Sequence, residues 1–110
     1  MCGIAGTYQI DPARPETGER INAALQCIAH RGPDDEGIHL NGRVVLGQRR
    51  LSIIDTSSAG HQPFTDTGGR YTMVFNGEVF NFQELRAQLE VEGHVFRSQS
   101  DTEIVLRLYS

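Results

Sequence analysis

Apolar positions along this chain switch repeatedly between a period near two and a period near 3.6, and glycine or proline punctuates most of the switches. Gly3 to Ile10 reads as a first strand, closed by Asp11-Pro12. From Glu19 to Ala29, residues Ile21, Ala24, Leu25 and Ile28 recur at i, i+3, i+4 and i+7, which predicts an amphipathic helix ending near His30-Arg31-Gly32-Pro33. Cys27 lies on this helical pattern and is expected in the buried core. Ile38 to Leu40 and Arg43 to Gly47 flank Asn41-Gly42, a pair whose tolerance of positive φ suits a two-residue hairpin turn. A second strand pair is predicted around the Asp66 to Gly69 turn, with Tyr71 to Phe75 as its second arm. Asn81 stands where it can cap a helix carrying Phe82, Leu85 and Leu89 inward, with Gly93 as its stop. After a short strand around His94 to Arg97, Ser100 and Glu103 form the spacing of a capping box before Ile104, Val105 and Leu108. The chain ends inside that last helix, which suggests a piece of something longer. The layout is α+β, rich in hairpins and antiparallel.

Length and charge narrow the function classes. With 110 residues, 38% of them hydrophobic, the chain fits one domain with a modest core. No apolar run approaches the roughly 20 residues that span a bilayer, and the N-terminus lacks the basic and apolar regions of a secretory signal. A cytoplasmic protein without a membrane partner is expected. A formal net charge of -4 with scattered arginines argues against nucleic acid as a partner. Two cysteines outside a secretory context are not a disulfide framework, and no Cys or His spacing matches a zinc site, so no metal is assigned. His30, His39, His61 and His94 sit in unrelated local contexts and read as surface or structural residues.

The candidate chemistry begins at the N-terminus, Met-Cys-Gly-Ile-Ala-Gly. Removing Met1 would give Cys2 a free α-amine, so that a thiol and a base share one residue. The thiol needs that help, because only its thiolate attacks carbonyl carbon well. Taken alone, a small residue at position 2 serves equally to let methionine be trimmed. Other polar residues also have plain readings. Asn76-Gly77 is a turn dipeptide, Glu78 a solvated charge, and Asp101 a carboxylate favoured by the helix macrodipole. Arg31, Asp34 and Asp35 order a loop beside the first helix and are given no catalytic role.

Taken together, Cys2-Gly3-Ile4-Ala5-Gly6, Arg31-Gly32-Pro33-Asp34, Arg50-Leu51-Ser52-Ile53, Asn76-Gly77-Glu78-Val79 and Ser100-Asp101-Thr102-Glu103 cover almost the whole chain. In this order they resemble the glutaminase domain of class II glutamine amidotransferases, which are N-terminal-nucleophile hydrolases. Arg-Gly-Pro-Asp and Arg-Leu-Ser-Ile-Ile-Asp look like the glutamine-hydrolysing asparagine synthetase branch. The resemblance implies a four-layer αββα sandwich with antiparallel sheets, incomplete in 110 residues because the family's domain is considerably longer. Residues 1–110 are thus expected to be the N-terminal portion of a glutaminase domain, with no synthetase domain and no phosphate loop.

The implied reaction is hydrolysis of L-glutamine to glutamate and ammonia. Cys2 would form a thioester, with the Asn76 side-chain amide and the Gly77 N–H as oxyanion donors. Arg50 would bind the α-carboxylate of glutamine, Glu78 and Asp101 its α-ammonium, and the backbone of Ile53 would line the same pocket. Arg49 is left as a solvated neighbour. Phe80 stands where the family often has tyrosine, which removes a hydroxyl but none of these groups. The half-reaction calls for no cofactor; ATP and Mg²⁺ are expected in a C-terminal synthetase domain that amidates aspartate. A homodimer is left open. Two alternatives stand beside this reading: an amidotransferase of the same branch with another acceptor, or a truncated, non-catalytic glutamine-binding or interaction module.

Overall fold

Gly47 sits near the middle of the central strand, where a side chain would collide with the helix above it. The computed structural model describes residues 2–11, 13–14, 17–51 and 57–110. Strands β1 (Gly3–Tyr8) and β2 (Asp35–Asn41) both pair antiparallel with β3 (Val44–Arg50), in the order β1-β3-β2. Helix α1 (Glu19–Cys27), followed by a 3₁₀ turn over Ala29–Arg31, lies across one face of this sheet. Ile21, Leu25 and Val45 form its buried core, with Ala5 and Ile28 packed alongside. The approach is close: a Cβ on Gly47 would stand 2.6 Å from Ile21 Cγ2. Gly47→Val is therefore expected to destabilise the fold by about 1–3 kcal/mol through overpacking. A urea-unfolding midpoint unchanged by the substitution would refute this seating of α1.

Two details of this layer differ from expectation. Cys27 is exposed, because it follows Leu25 by two residues and so stands roughly 200° around the helix from the buried face. The hairpin turn falls one residue later than Asn41-Gly42. Asn41 pairs with Val44, leaving Gly42-Arg43 as the loop. Gly42 has φ 59 and no described non-glycine residue has positive φ. Positive φ at only the first central position is the pattern of a type II′ turn, which wants glycine there.

The second half of the chain is less regular. β4 (Phe64–Thr65) and β5 (Thr72–Met73) form a two-stranded antiparallel ribbon closed by the predicted Asp66 to Gly69 turn. Its second arm stops at Met73 rather than Phe75, since the polar groups of Phe75 are taken by side chains. Helix α2 (Phe82–Val91) ends in a Schellman arrangement, with Gly93 at φ 97 and His94 N–H donating to Leu89 C=O at 2.9 Å. Asn81 holds the N-cap position without a side-chain cap bond.

Helix α3 (Asp101–Tyr109) starts after Ser100, as expected, but the capping box does not form. The buried Glu103 carboxylate accepts from the N–H groups of Arg97 and Ser98, at 3.1 and 2.8 Å, instead of the Ser100 N–H. Those same bonds replace the ladder that a strand over His94 to Arg97 would have needed, and no such strand exists there. The architecture is α+β with antiparallel sheets. No described helix is long and apolar enough to cross a membrane.

Candidate active site

The start of β1 and the end of β3 lie side by side at the edge of a cavity of about 430 Å³. Gly3 is the first residue of the β1 ladder, opposite Arg49, so Cys2 emerges beside the end of β3. Its sulfur accepts from Leu51 N–H at 3.3 Å and faces Leu51 C=O at 3.7 Å. Arg50, Asn76, Gly77, Glu78 and Asp101 line the same cavity as Cys2. The structure thus brings together the residues singled out from the sequence, apart from Ile53, which with Met1 lies outside the described residues.

Each wall has a local cause. Arg50 is 7% exposed and extends along Gly60, where any Cβ would run into its guanidinium. Nη1 donates to Ser57 C=O at 3.1 Å. Among the described residues no carboxylate forms an ion pair with Arg50, although a buried cation is costly unless paired.

Asp101, the first residue of α3 and 6% exposed, forms the acidic part of the lining with the more exposed Glu78. Asp101 Oδ2 accepts from Val79 N–H at 3.0 Å, which ties the start of α3 to the segment carrying Asn76, Gly77 and Glu78. Gly77 lies over the ring of Phe75, and a Cβ there would come within 3.0 Å of it. The cavity therefore combines a thiol, a buried cation and two carboxylates. This set can hold a zwitterionic amino acid by both ends and attack an electrophilic carbon on it.

A family model described as a glutamine amidotransferase domain matches residues 1–110, the entire chain. The chain belongs to the glutamine amidotransferase domain family. Among similar proteins, asparagine synthetase (glutamine-hydrolyzing) 1 of Bacillus subtilis strain 168 is 41% identical over 111 residues, covering 99% of this chain and 17% of that protein. Asparagine synthetase B (glutamine-hydrolyzing) of Escherichia coli K12 is 35% identical over 109 residues, covering 99% of this chain and 19% of its own. A Gibberella zeae protein named amidase chry2 is 46% identical over 120 residues, covering 99% of this chain and 18% of its own. The chain thus spans less than a fifth of the length of these relatives.

This glutamine amidotransferase domain also uses residues that the sequence left without a part in the site. Arg31 is more than loop order, since its Nε donates to Cys2 C=O at 3.2 Å and steadies the residue that carries the thiol. Pro33 bridges to Arg50, and Asp34 N–H donates to Arg50 C=O at 3.0 Å, so the whole Arg31 to Asp34 turn braces the cavity's edge. Its position next to the Cys2 and Arg50 segments in the family pattern was the available signal. Arg49 is not simply solvated. It bonds Glu36 at 2.6 Å and Gly32 C=O at 3.0 Å, outside the cavity lining. His61 pairs with Asp35 at 2.5 Å, a structural role as expected. Gln62, which the sequence did not single out, lines the cavity and is 6% exposed.

Proposed function

We propose that this chain is the glutamine-hydrolysing part of an amidotransferase, converting L-glutamine to glutamate and ammonia. The observation that carries the reading is the buried Arg50 guanidinium in the same cavity as the Cys2 thiol. Arg50 takes the α-carboxylate through its planar fork, while Asp101 and Glu78 take the α-ammonium. The side-chain amide of glutamine then lies toward Cys2.

With Met1 removed, the Cys2 thiolate adds to the amide carbon, and its proton passes to the α-amine. The negative oxygen is stabilised by the Asn76 side-chain amide and the Gly77 N–H. The carbon–nitrogen bond breaks as ammonia leaves with that proton. A thioester on Cys2 remains, and water hydrolyses it to glutamate and the free thiol.

The ammonia is passed to an ATP- and Mg²⁺-dependent domain of the asparagine synthetase type, supported by the names of relatives at 35–41% identity. Among the described residues no group of three or more His, Cys, Asp or Glu could hold a metal. The 46% identity to a protein named an amidase favours a second reading, the same hydrolysis feeding a different acceptor. The three-stranded sheet and α1 are taken as one sheet-and-helix half of a four-layer sandwich. Ile4 and Tyr8, 49% and 64% exposed on the sheet face away from α1, support that view.

The test joins mass spectrometry of the N-terminus to an assay for glutamate and ammonia from L-glutamine. A chain beginning at Cys2 is expected to release both in equal amounts. Arg50→Lys, which loses the fork but keeps the charge, is expected to raise KM by about 10- to 100-fold, equivalent to roughly 1.4–2.8 kcal/mol, with a much smaller change in kcat. A processed wild-type protein that releases neither product would sink the proposal.

A further inference from the structure

We infer that Gln62, braced by Gln48, is a positioning residue that sets the geometry of the Asn76–Gly77 segment for glutamine hydrolysis. This inference rests on the function proposed above. The segment needs an outside support because its strand ends early. β5 stops at Met73, and residues 74–79 belong to no ladder, although their backbone polar groups still require partners.

Two buried side-chain amides supply them at Phe75, the residue directly before Asn76. Phe75 N–H donates to Gln62 Oε1 at 2.7 Å, and Phe75 C=O accepts from Gln48 Nε2 at 2.8 Å. The two glutamines are joined to each other, Gln48 Nε2 donating to Gln62 Oε1 at 2.7 Å. Backbone chemistry fixes both orientations: an N–H can face only an acceptor, and a C=O only a donor. Turning either amide over would oppose like groups.

The pair also reaches the other side of the cavity. Gln62 Nε2 donates to Thr102 Oγ1 at 3.0 Å, one residue after Asp101. Asp101 in turn holds Val79 N–H. The stretch from Phe75 to Val79 is thus pinned at one end by the glutamines and at the other by Asp101, with Asn76, Gly77 and Glu78 between the pins. The anchor is rigid, because Gln48 lies in the middle strand of the sheet, opposite Ile4 on one side and Gly37 on the other. Gln48 and Gln62 are 1% and 6% exposed, so bulk water is a poor substitute for either amide.

Placement errors near 1 Å are enough to cost about 100-fold in rate, and these bonds control placement on that scale. Gln62→Leu in the intact protein keeps a similar volume and removes every polar contact. Its kcat for glutamine hydrolysis is expected to fall about 10- to 100-fold with KM changed only a few-fold. Alkylation of Cys2 by iodoacetamide, a displacement that forms no oxyanion, is expected to keep its rate. Gln48→Leu should behave alike, and the double variant should lose less than the product of the two single losses, because both act through Phe75. Should Gln62→Leu fail to fold, Thr102→Val cuts only the link to α3. A several-fold loss of kcat with unchanged alkylation then supports the inference. An unchanged kcat in a folded variant overturns it, as does a parallel loss of alkylation. Wild-type protein that hydrolyses no glutamine overturns the proposed function and this inference together, whereas wild-type activity matched by Gln62→Leu overturns the inference alone.

Discussion

Cys2→Ala is expected to lower glutamine hydrolysis by on the order of 10⁴-fold or more while leaving glutamine binding measurable by calorimetry. The size reflects the cavity's inventory. Cys27 is exposed on the outer face of α1 and does not line the cavity. Ser100 does line it, but its hydroxyl is buried against Ser98 Oγ at 3.1 Å, and a neutral hydroxyl is a far weaker nucleophile than a thiolate. Binding should survive because the groups proposed to hold the two ends of glutamine, Arg50, Glu78 and Asp101, are untouched. The same reasoning sets a condition on the wild-type protein. A retained Met1 would place the α-amine one residue away from the thiol, so unprocessed protein should be as inactive as the variant. Cys2→Ala activity within tenfold of wild type would remove Cys2 from the mechanism.

The elements legible from the sequence are those whose signals are local. The period of Ile21, Leu25 and Ile28 located α1, and the turn at Asp66 to Gly69 located the ribbon. Errors arose where a distant partner overrode a local pattern. His94 to Arg97 reads as a strand, yet Glu103 takes the Arg97 N–H; Tyr71 to Phe75 reads as one too, yet Gln48 and Gln62 end it early. The same division applies to the cavity. Cys2 is legible from its own chemistry, whereas Arg50, Asn76 and Asp101 gain their roles only through the family resemblance of the motifs that carry them. The parts of Arg31 and Gln62 are not legible, because each acts on a backbone group that only folding brings near: Cys2 C=O, 29 residues before Arg31, and Phe75 N–H, 13 residues after Gln62. Side-chain-to-backbone bonds of this reach leave almost no trace in a single sequence.

Asn76→Ala should separate transition-state stabilisation from binding. Its kcat is expected to fall by about 10²- to 10³-fold, the usual cost of one oxyanion donor, with KM within a few-fold of wild type. The asymmetry arises because the amide oxygen of bound glutamine carries little charge until the thiolate adds, so the Asn76 bond strengthens mainly after binding. Asn76→Asp should be worse than alanine, since a carboxylate offers the oxyanion repulsion where a donor is needed. Gly77 contributes a backbone N–H that no substitution at Asn76 removes, and some activity should therefore persist above the Cys2→Ala level. Single-turnover assays provide the check: thioester formation should slow as much as kcat does, while alkylation of Cys2 by iodoacetamide should be unaffected. A rise in KM that accounts for the whole loss of kcat/KM would instead make Asn76 a residue that binds the ground state, and the oxyanion would have to be held elsewhere.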